Sequence, residues 1–219
     1  PLNDNVQVEI ILPVEYPSTN SLYYGEWDIN NNIRHGRGIS SWYDGSKYSG
    51  YWVQDKASIK GKLIHSNGDI YEGEWLDDKP NGKGIYIYQN GTVYEGEWKD
   101  DLKNGFGKEK YVDGAWYEGE FKNGNKDGKG KFHWKDNSYY EGDFVENNIS
   151  GKGIYVFNDK RKYEGNWDNN RMNGFGVFTW PDGRKYEGNY KNDKQDGYGT
   201  FTWSDGKQYK GPWVNGKQH

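Results

Sequence analysis

Four histidines, His35, His65, His133 and His219, are the first candidates for metal or acid–base chemistry. None stands at a ligand spacing from another, and the chain has no cysteine to complete a zinc site. Paired carboxylates come next: Glu72 with Glu74, Glu95 with Glu97, and Glu118 with Glu120. Such pairs catalyse only inside a pocket that sets one group against the other. Here they alternate with large rings, so a strand turns both carboxylates to water on the face opposite the rings. Seven Gly-x-Gly motifs invite a phosphate-cradling reading, but none extends to G-x-G-x-x-G or to a Walker sequence. No G-x-S-x-G occurs either. These residues point to a protein without a metal, a cofactor or a catalytic centre.

Rings and cations remain. Trp42, Tyr88, Tyr111, Trp134, Phe157, Trp180 and Trp203, with His65 in line, recur at one fixed position. Their partners across the neighbouring turn are small or polar, from Ser46 and Asp69 to Arg184 and Lys207. Such a row either completes a core or lines a groove that grips a peptide or helix. Lys160, Arg161, Lys162, Arg184 and Lys185 cluster toward the C-terminal part, where an acidic partner or a phosphorylated head group would find its contacts.

The elements that must position these residues follow from a repeat. Tyr-x-Gly-x-aromatic begins at Tyr23, Tyr48, Tyr71, Tyr94, Tyr117, Tyr140, Tyr163, Tyr186 and Tyr209. After a first step of 25 residues the spacing is 23 throughout. Gly-x-Gly recurs in step, except that Ile59 replaces the first glycine beside Gly61. Turn dipeptides such as Asn90-Gly91 and Asp182-Gly183 form the third signal. Alternation with period 2 predicts strands, and each unit reads as one β-hairpin plus a connection. Pro181-Asp182-Gly183 suits a three-residue loop with a G1 bulge. It would pair Trp180 with Arg184, Phe178 with Tyr186, Gly176 with Gly188 and Gly174 with Tyr190 on one face. The opposed glycines leave a hole in which a neighbouring ring would lie. Lys160 stands where the turn wants a left-handed residue, so that hairpin is expected to use another turn.

Stacked hairpins give an all-β fold: one elongated antiparallel sheet of about seventeen strands, roughly 80 Å long, twisted into a trough. Residues 1–22 are expected to form a capping strand and linker, with Val6, Val8, Ile10 and Leu12 alternating. Residues 23–219 form the array of about nine repeats. The ninth stops where the next Gly-x-Gly would come, so the natural chain is expected to continue. A terminal edge strand is a template for homodimerisation.

These motifs, exemplified by residues 94–114, "YEGEWKDDLKNGFGKEKYVDG", resemble the MORN (membrane occupation and recognition nexus) repeat family. The resemblance runs over residues 23–213. It implies an elongated single-sheet scaffold, of the kind found in junctophilins, plant phosphatidylinositol phosphate kinases and ciliary radial spoke heads. It implies protein or acidic phospholipid partners, and a cytoskeletal, ciliary or membrane-peripheral location. One departure is that Asp78, Asp101, Asn147, Asn170 and Asp193 stand where the family often has glycine three residues after the large ring. The conformation of those loops is therefore open.

Bulk properties agree with a non-catalytic scaffold. Mean hydropathy is -1.23, yet 18% of residues are aromatic, so buriable area comes from rings with polar tips. Residues 1–110 hold 12 basic against 17 acidic residues, a net of -5; residues 111–219 hold 17 against 16, a net of +1. Neither half is basic enough to predict nucleic-acid binding. There is no apolar run long enough to span a membrane and no signal peptide. The lack of cysteine suits an intracellular, cytoplasmic protein. The reading is a scaffold that binds a protein segment along an aromatic groove. Its alternatives are a phosphoinositide-binding module and the accessory domain of a larger enzyme such as a phosphatidylinositol phosphate kinase.

Overall fold

The computed structural model describes residues 6–219 and contains strands and turns but no helix among them. The described residues fall into two compact units that divide between Val112 and Asp113. The first holds β1 (Val8–Tyr16), β2 (Ser21–Asp28), β3 (Ile33–Trp42), β4 (Lys47–Val53) and β5 (Lys56–Ile64). It continues with β6 (Ile70–Leu76), β7 (Lys79–Ile87), β8 (Val93–Lys99) and β9 (Leu102–Lys110). The second holds β10 (Trp116–Lys122), β11 (Asn125–His133), β12 (Tyr139–Val145), β13 (Asn148–Val156) and β14 (Lys162–Asp168). It ends with β15 (Arg171–Thr179), β16 (Lys185–Lys191), β17 (Lys194–Thr202), β18 (Gln208–Val214) and the short β19 (Lys217–Gln218). Within each unit every strand pairs antiparallel with the next in sequence. The expected strand at the N-terminus is β1, paired with β2; residues 1–5 of the expected 1–22 segment lie outside the described residues.

The hairpin register is the one that turn chemistry predicts. Phe178 faces Tyr186, Gly176 faces Gly188 and Gly174 faces Tyr190. Trp180 N–H donates to Arg184 O at 2.9 Å, and Gly183 N–H to Trp180 O at 3.1 Å. The Asp182 carboxylate accepts Arg184 N–H at 3.1 Å, closing an Asx turn that recurs at Asn67, Asn90 and Asp136. One expectation is corrected. The 157–161 hairpin keeps the same turn, with Lys160 at φ 70° and its N–H on Phe157 O at 3.0 Å. The strain of a left-handed lysine, about 1 kcal/mol, is smaller than the cost of giving up the shared register.

A second correction concerns the ring over the glycines. It belongs to the same strand rather than to a neighbour. A Cβ on Gly84 would come within 2.4 Å of the Tyr71 hydroxyl, and one on Gly73 within 2.6 Å. Gly73 and Gly84 face each other across β6 and β7, so the Tyr71 ring covers both. Its hydroxyl donates to Glu74 O at 2.8 Å, three residues along its own strand. The same bond forms at Tyr94, Tyr117 and Tyr163. A bulge frees that carbonyl. Between the pairs Gly73–Gly84 and Trp75–Pro80, Glu74 alone faces three residues of β7. Gly82 takes the left-handed turn of the bulge at φ 98°.

Trp75 then meets Tyr71 edge-on at 5.2 Å, and Tyr71 meets Trp98 of the next repeat at 5.2 Å. Repetition builds a chain of edge-to-face rings within each unit, and its tyrosines from Tyr23 to Tyr186 are buried. Edge-to-face pairs add roughly 0.5–1.5 kcal/mol each beyond their buried area.

The departure from glycine after the large ring leaves the turn unchanged. Asp77-Asp78 and Asn169-Asn170 have both φ values positive, between 47° and 68°, the pattern of a type I′ turn. The second residue reaches back one repeat. Asp78 Oδ1 accepts Ala57 N–H at 2.7 Å, while Asp78 N–H donates to Ala57 O at 2.9 Å. Asn147, Asn170 and Asp193 make the same side-chain bond. Asp101 faces Pro80, which has no N–H to give, and burial raises its carboxyl pKa.

Two stability predictions follow from this geometry. Gly84→Ala should cost about 1–3 kcal/mol, because the new methyl displaces the Tyr71 ring. Ile59→Gly should instead stabilise by about 1 kcal/mol, since Ile59 holds φ 67° at the bulge where other repeats use glycine. Urea midpoints read both. A third prediction concerns alkali. Burial raises the phenol pKa of Tyr71, Tyr94 and Tyr117, and pushes Tyr186 up to about 12. Unfolded tyrosine ionises near 10, so above that pH the unfolded chain releases protons that the fold retains. Stability should be full below about pH 10 and fall steeply above it. Phenolate absorbance should then rise together with loss of circular dichroism.

Candidate functional site

Residues that alternate with the packed rings form the opposite face of the sheet in each unit. In unit 1 this face is concave and encloses a groove of about 1420 Å³. Its floor is the backbone of the paired glycines, among them Gly73, Gly84, Gly96 and Gly107. Glu72, Glu74, Glu95 and Glu97 project from β6 and β8; Lys60, Lys62, Lys83 and Lys108 project from β5, β7 and β9. Acidic and basic strands thus alternate. Lys62 and Glu72 pair at 3.4 Å. In several motifs the second acid acts locally, on an amide beside the bulge. Glu97 accepts Phe106 N–H at 3.4 Å, and Asp143 accepts Lys152 N–H at 2.9 Å. Apolar surface interrupts the charge. Tyr24 is 49% exposed and Phe106 54%, and Tyr51 carries Arg37 on its hydroxyl at 2.8 Å.

The seven sequence-predicted rings lie on the other face, with the core. None of them lines this groove. Trp42, Tyr88, Tyr111, Trp134, Phe157 and Trp180 are half-buried, and Trp203 is 38% exposed. In unit 2 they bridge repeats: Trp134 meets Tyr155 at 5.1 Å, Phe157 meets Phe178 at 5.7 Å and Trp180 meets Phe201 at 5.8 Å. In unit 1 the row is more polar. Tyr88 packs on Tyr86 at 4.6 Å, and Tyr111 donates to Glu109 at 2.6 Å. Glu109 also accepts the half-buried Lys103 ammonium, which lies over the Tyr94 ring. The row therefore finishes the core and leaves ring edges to solvent.

Four of the five cations proposed for an anionic ligand are already engaged. Arg161 pairs with Asp159 at 2.7 Å, Lys162 with Glu164 at 2.8 Å, Arg184 with Asp182 at 2.8 Å and Lys185 with Glu187 at 2.6 Å. Arg161 and Arg184 also cover the Phe157 and Trp180 rings. Lys160 is exposed at its turn. The histidines are scattered. His35 is buried with neither ring nitrogen hydrogen-bonded, and His133 stacks on Trp116 at 5.4 Å. Among the described residues there is no cluster of histidine, aspartate and glutamate able to hold a metal ion, and no helix long and apolar enough to cross a membrane.

The groove is what sequence reasoning missed. Its signal was present in the middle residue of Gly-x-Gly, which is Arg37, Lys83 or Phe106 in unit 1. That residue faces away from the tyrosine that fills the glycine hole.

Comparison with known proteins bears on the fold. The family described as MORN repeat matches eight consecutive segments, from residues 23–47 to residues 186–208. The ninth tyrosine, Tyr209, lies beyond them on β18. No curated protein sequence matches the chain. Among solved structures, the wild-type TCP10 domain of Danio rerio CPAP is similar at TM-score 0.50 and 12% identity, over 92% of this chain and 94% of that one. The SAS-4 (dCPAP) TCP domain of Drosophila melanogaster, solved with a proline-rich motif of Ana2, is similar at TM-score 0.43 and 17% identity, over 71% of this chain and 85% of that one.

The packing of the ring row has a measurable consequence. Trp180→Ala removes contacts to Phe178 and Phe201 and should cost about 2 kcal/mol, below the ~3–5 of a fully buried tryptophan. Guanidinium denaturation of the variant checks this. A change within about 0.5 kcal/mol, the range of ordinary surface substitutions, would make the row a surface feature only.

Proposed function

The chain belongs to the MORN repeat family, and from that premise we propose that it is a non-catalytic scaffold that binds a protein segment, peptide or helix, along the unit 1 groove. The observation that carries this reading is the groove itself: about 1420 Å³, open, with a backbone floor and exposed apolar side chains between charged ones. A backbone floor lets a partner approach closely. Exposed Phe106, Tyr24 and Ile85 supply anchors, and flanking lysines and glutamates supply orientation. Among the described residues no buried nucleophile, acid–base pair or metal cluster faces it. The ring row Trp42, Tyr88, Tyr111, Trp134, Phe157, Trp180 and Trp203 is proposed as a second, shallower contact surface.

The reading carries an intracellular setting, cytoskeletal or ciliary, with terminal edge strands offering a route to self-association. Binding to acidic phospholipid draws no support from the cation geometry, because Arg161, Lys162, Arg184 and Lys185 already sit in ion pairs.

Selection of segments from a random peptide library on the intact chain tests the proposal. Selected segments should bind the triple variant Tyr24→Ala, Ile85→Ala, Phe106→Ala at least about tenfold more weakly, because anchors of this kind dominate binding energy. They should bind Trp180→Ala almost normally. Equal binding to the triple variant would remove the groove from the proposal.

A further inference from the structure

The equivalent face of unit 2 carries different chemistry. In unit 1 the row beside the bulges includes Glu74, Lys83 and Glu97. From β14 to β18 the same positions are Asn166, Phe175, Asn189, Tyr198 and Pro212, with no formal charge. Phe175 is 51% exposed and Tyr198 65%, so the core does not account for either ring. Phe175 faces Asn189 across β15 and β16, and Tyr198 faces Pro212 across β17 and β18. Neutral residues continue beside the rings, with Val177 on β15 and Thr200 on β17.

Charge selects the kind of occupant. Between the rings the flanking ionised residues are paired, Lys162 with Glu164 at 2.8 Å and Lys185 with Glu187 at 2.6 Å, while Lys152 faces Asn166 at one end of the window and Lys210 faces Thr200 at the other. A charged ligand would compete with those pairs, whereas an uncharged ligand meets the neutral row of Phe175, Asn189, Tyr198 and Pro212 between them.

Spacing selects its conformation. Phe175 and Tyr198 sit two strands apart, which is about 9.6 Å. A polyproline II helix advances about 3.1 Å per residue with three residues per turn, a repeat of about 9.3 Å. Laid across the strands, it brings one turn over each ring. An α-helix repeats every ~5.4 Å and a β-strand presents one face every ~6.7 Å, so neither keeps step with the rings. Polyproline II backbone also has no internal hydrogen bonds, so its carbonyls need donors. The exposed Asn189 amide lies between the rings, and the exposed Tyr198 carries a hydroxyl. Asn166 is less free, since its amide donates to Phe175 O at 3.1 Å.

We infer that this face of unit 2 binds an uncharged, proline-rich protein segment in the polyproline II conformation, with Phe175 and Tyr198 as platforms and Asn189 as the donor between them. It extends the scaffold reading to a further surface with its own ligand class.

Fluorescence anisotropy with a labelled oligoproline peptide and the full chain tests this. The intact protein should show saturable binding. The double variant Phe175→Ala, Tyr198→Ala should bind at least about tenfold more weakly, as loss of two exposed ring platforms implies. Asn189→Glu installs the residue that Glu74 and Glu97 supply in unit 1, so the fold tolerates it while the donor is lost; binding should fall several-fold. Phe106→Ala, in the unit 1 groove, should leave oligoproline binding unchanged. Circular dichroism confirms folding, and were the double variant unfolded, Asn189→Glu decides. Absence of saturable binding, or unchanged binding by Asn189→Glu and by the folded double variant, would overturn the inference. Library-selected groove segments should bind the double variant normally, so the two proposals fail separately.

Discussion

One tyrosine laid over two facing glycines is the constraint on which each repeat depends. The ring needs a hole, so two strands must both have glycine where Gly73 and Gly84 meet. The hydroxyl needs an acceptor, and finds Glu74 O three residues along. That carbonyl is free only because the partner strand bulges, and the bulge needs a residue at positive φ, which is Gly82. The bulge in turn exposes an amide, which the second acid of the motif caps where Asp143 meets Lys152 N–H. A buried phenol without its acceptor would cost more than the bond contributes, about 1–3 against about 1 kcal/mol. The bonds form a closed sequence, and each member specifies the next.

Turn residues, rather than the tyrosine, link one repeat to the next along the sheet end. An aspartate or asparagine in the left-handed region costs little, and its side chain gains what glycine lacks, a bond to the previous repeat's backbone. Asp78 holds Ala57 by side chain and main chain together. At Asp101 the same device meets Pro80, so the main-chain bond to Pro80 O at 3.1 Å remains while the carboxylate stays unsupplied by that partner. Neighbouring repeats are thus joined twice, by rings on one face and by Asx turns at one end.

Much of the fold was legible because its signals are local. The 23-residue period, the Pro181-Asp182-Gly183 turn and the pairs around Phe178 and Tyr186 follow from alternation and turn chemistry. What was not legible depends on side-chain direction along the strand. Nothing in the spacing says that Tyr71 folds over its own Gly73 instead of a neighbour's, because both rings would be bulky and apolar. Lys160 misleads for a related reason: local preference argues against its φ of 70°, and the register of two strands overrides it. The site was less legible than the fold. Trp134, Phe157 and Trp180 attract attention by size, yet they pack on Tyr155, Phe178 and Phe201. The concavity of unit 1 emerges only when large rings crowd one face and the other bends away, a collective effect of several strands.

The two faces therefore differ in how freely they can vary. On the ring face, Tyr, Gly and Trp positions are tied to one another by contact, and a change at one disturbs its neighbours. On the other face, the middle residue of Gly-x-Gly touches nothing that the fold requires. Within one repeat architecture it is Arg37, Lys83, Phe106, Lys129, Lys152, Phe175 or Tyr198. Where the adjacent motif position is acidic, that residue is mostly basic and the strands neutralise each other; where it faces Asn189 or Pro212, the middle residue is aromatic and exposed. These substitutions change together over adjacent strands while the core beneath them keeps its geometry. Such a surface can be rewritten for a new partner without refolding the scaffold.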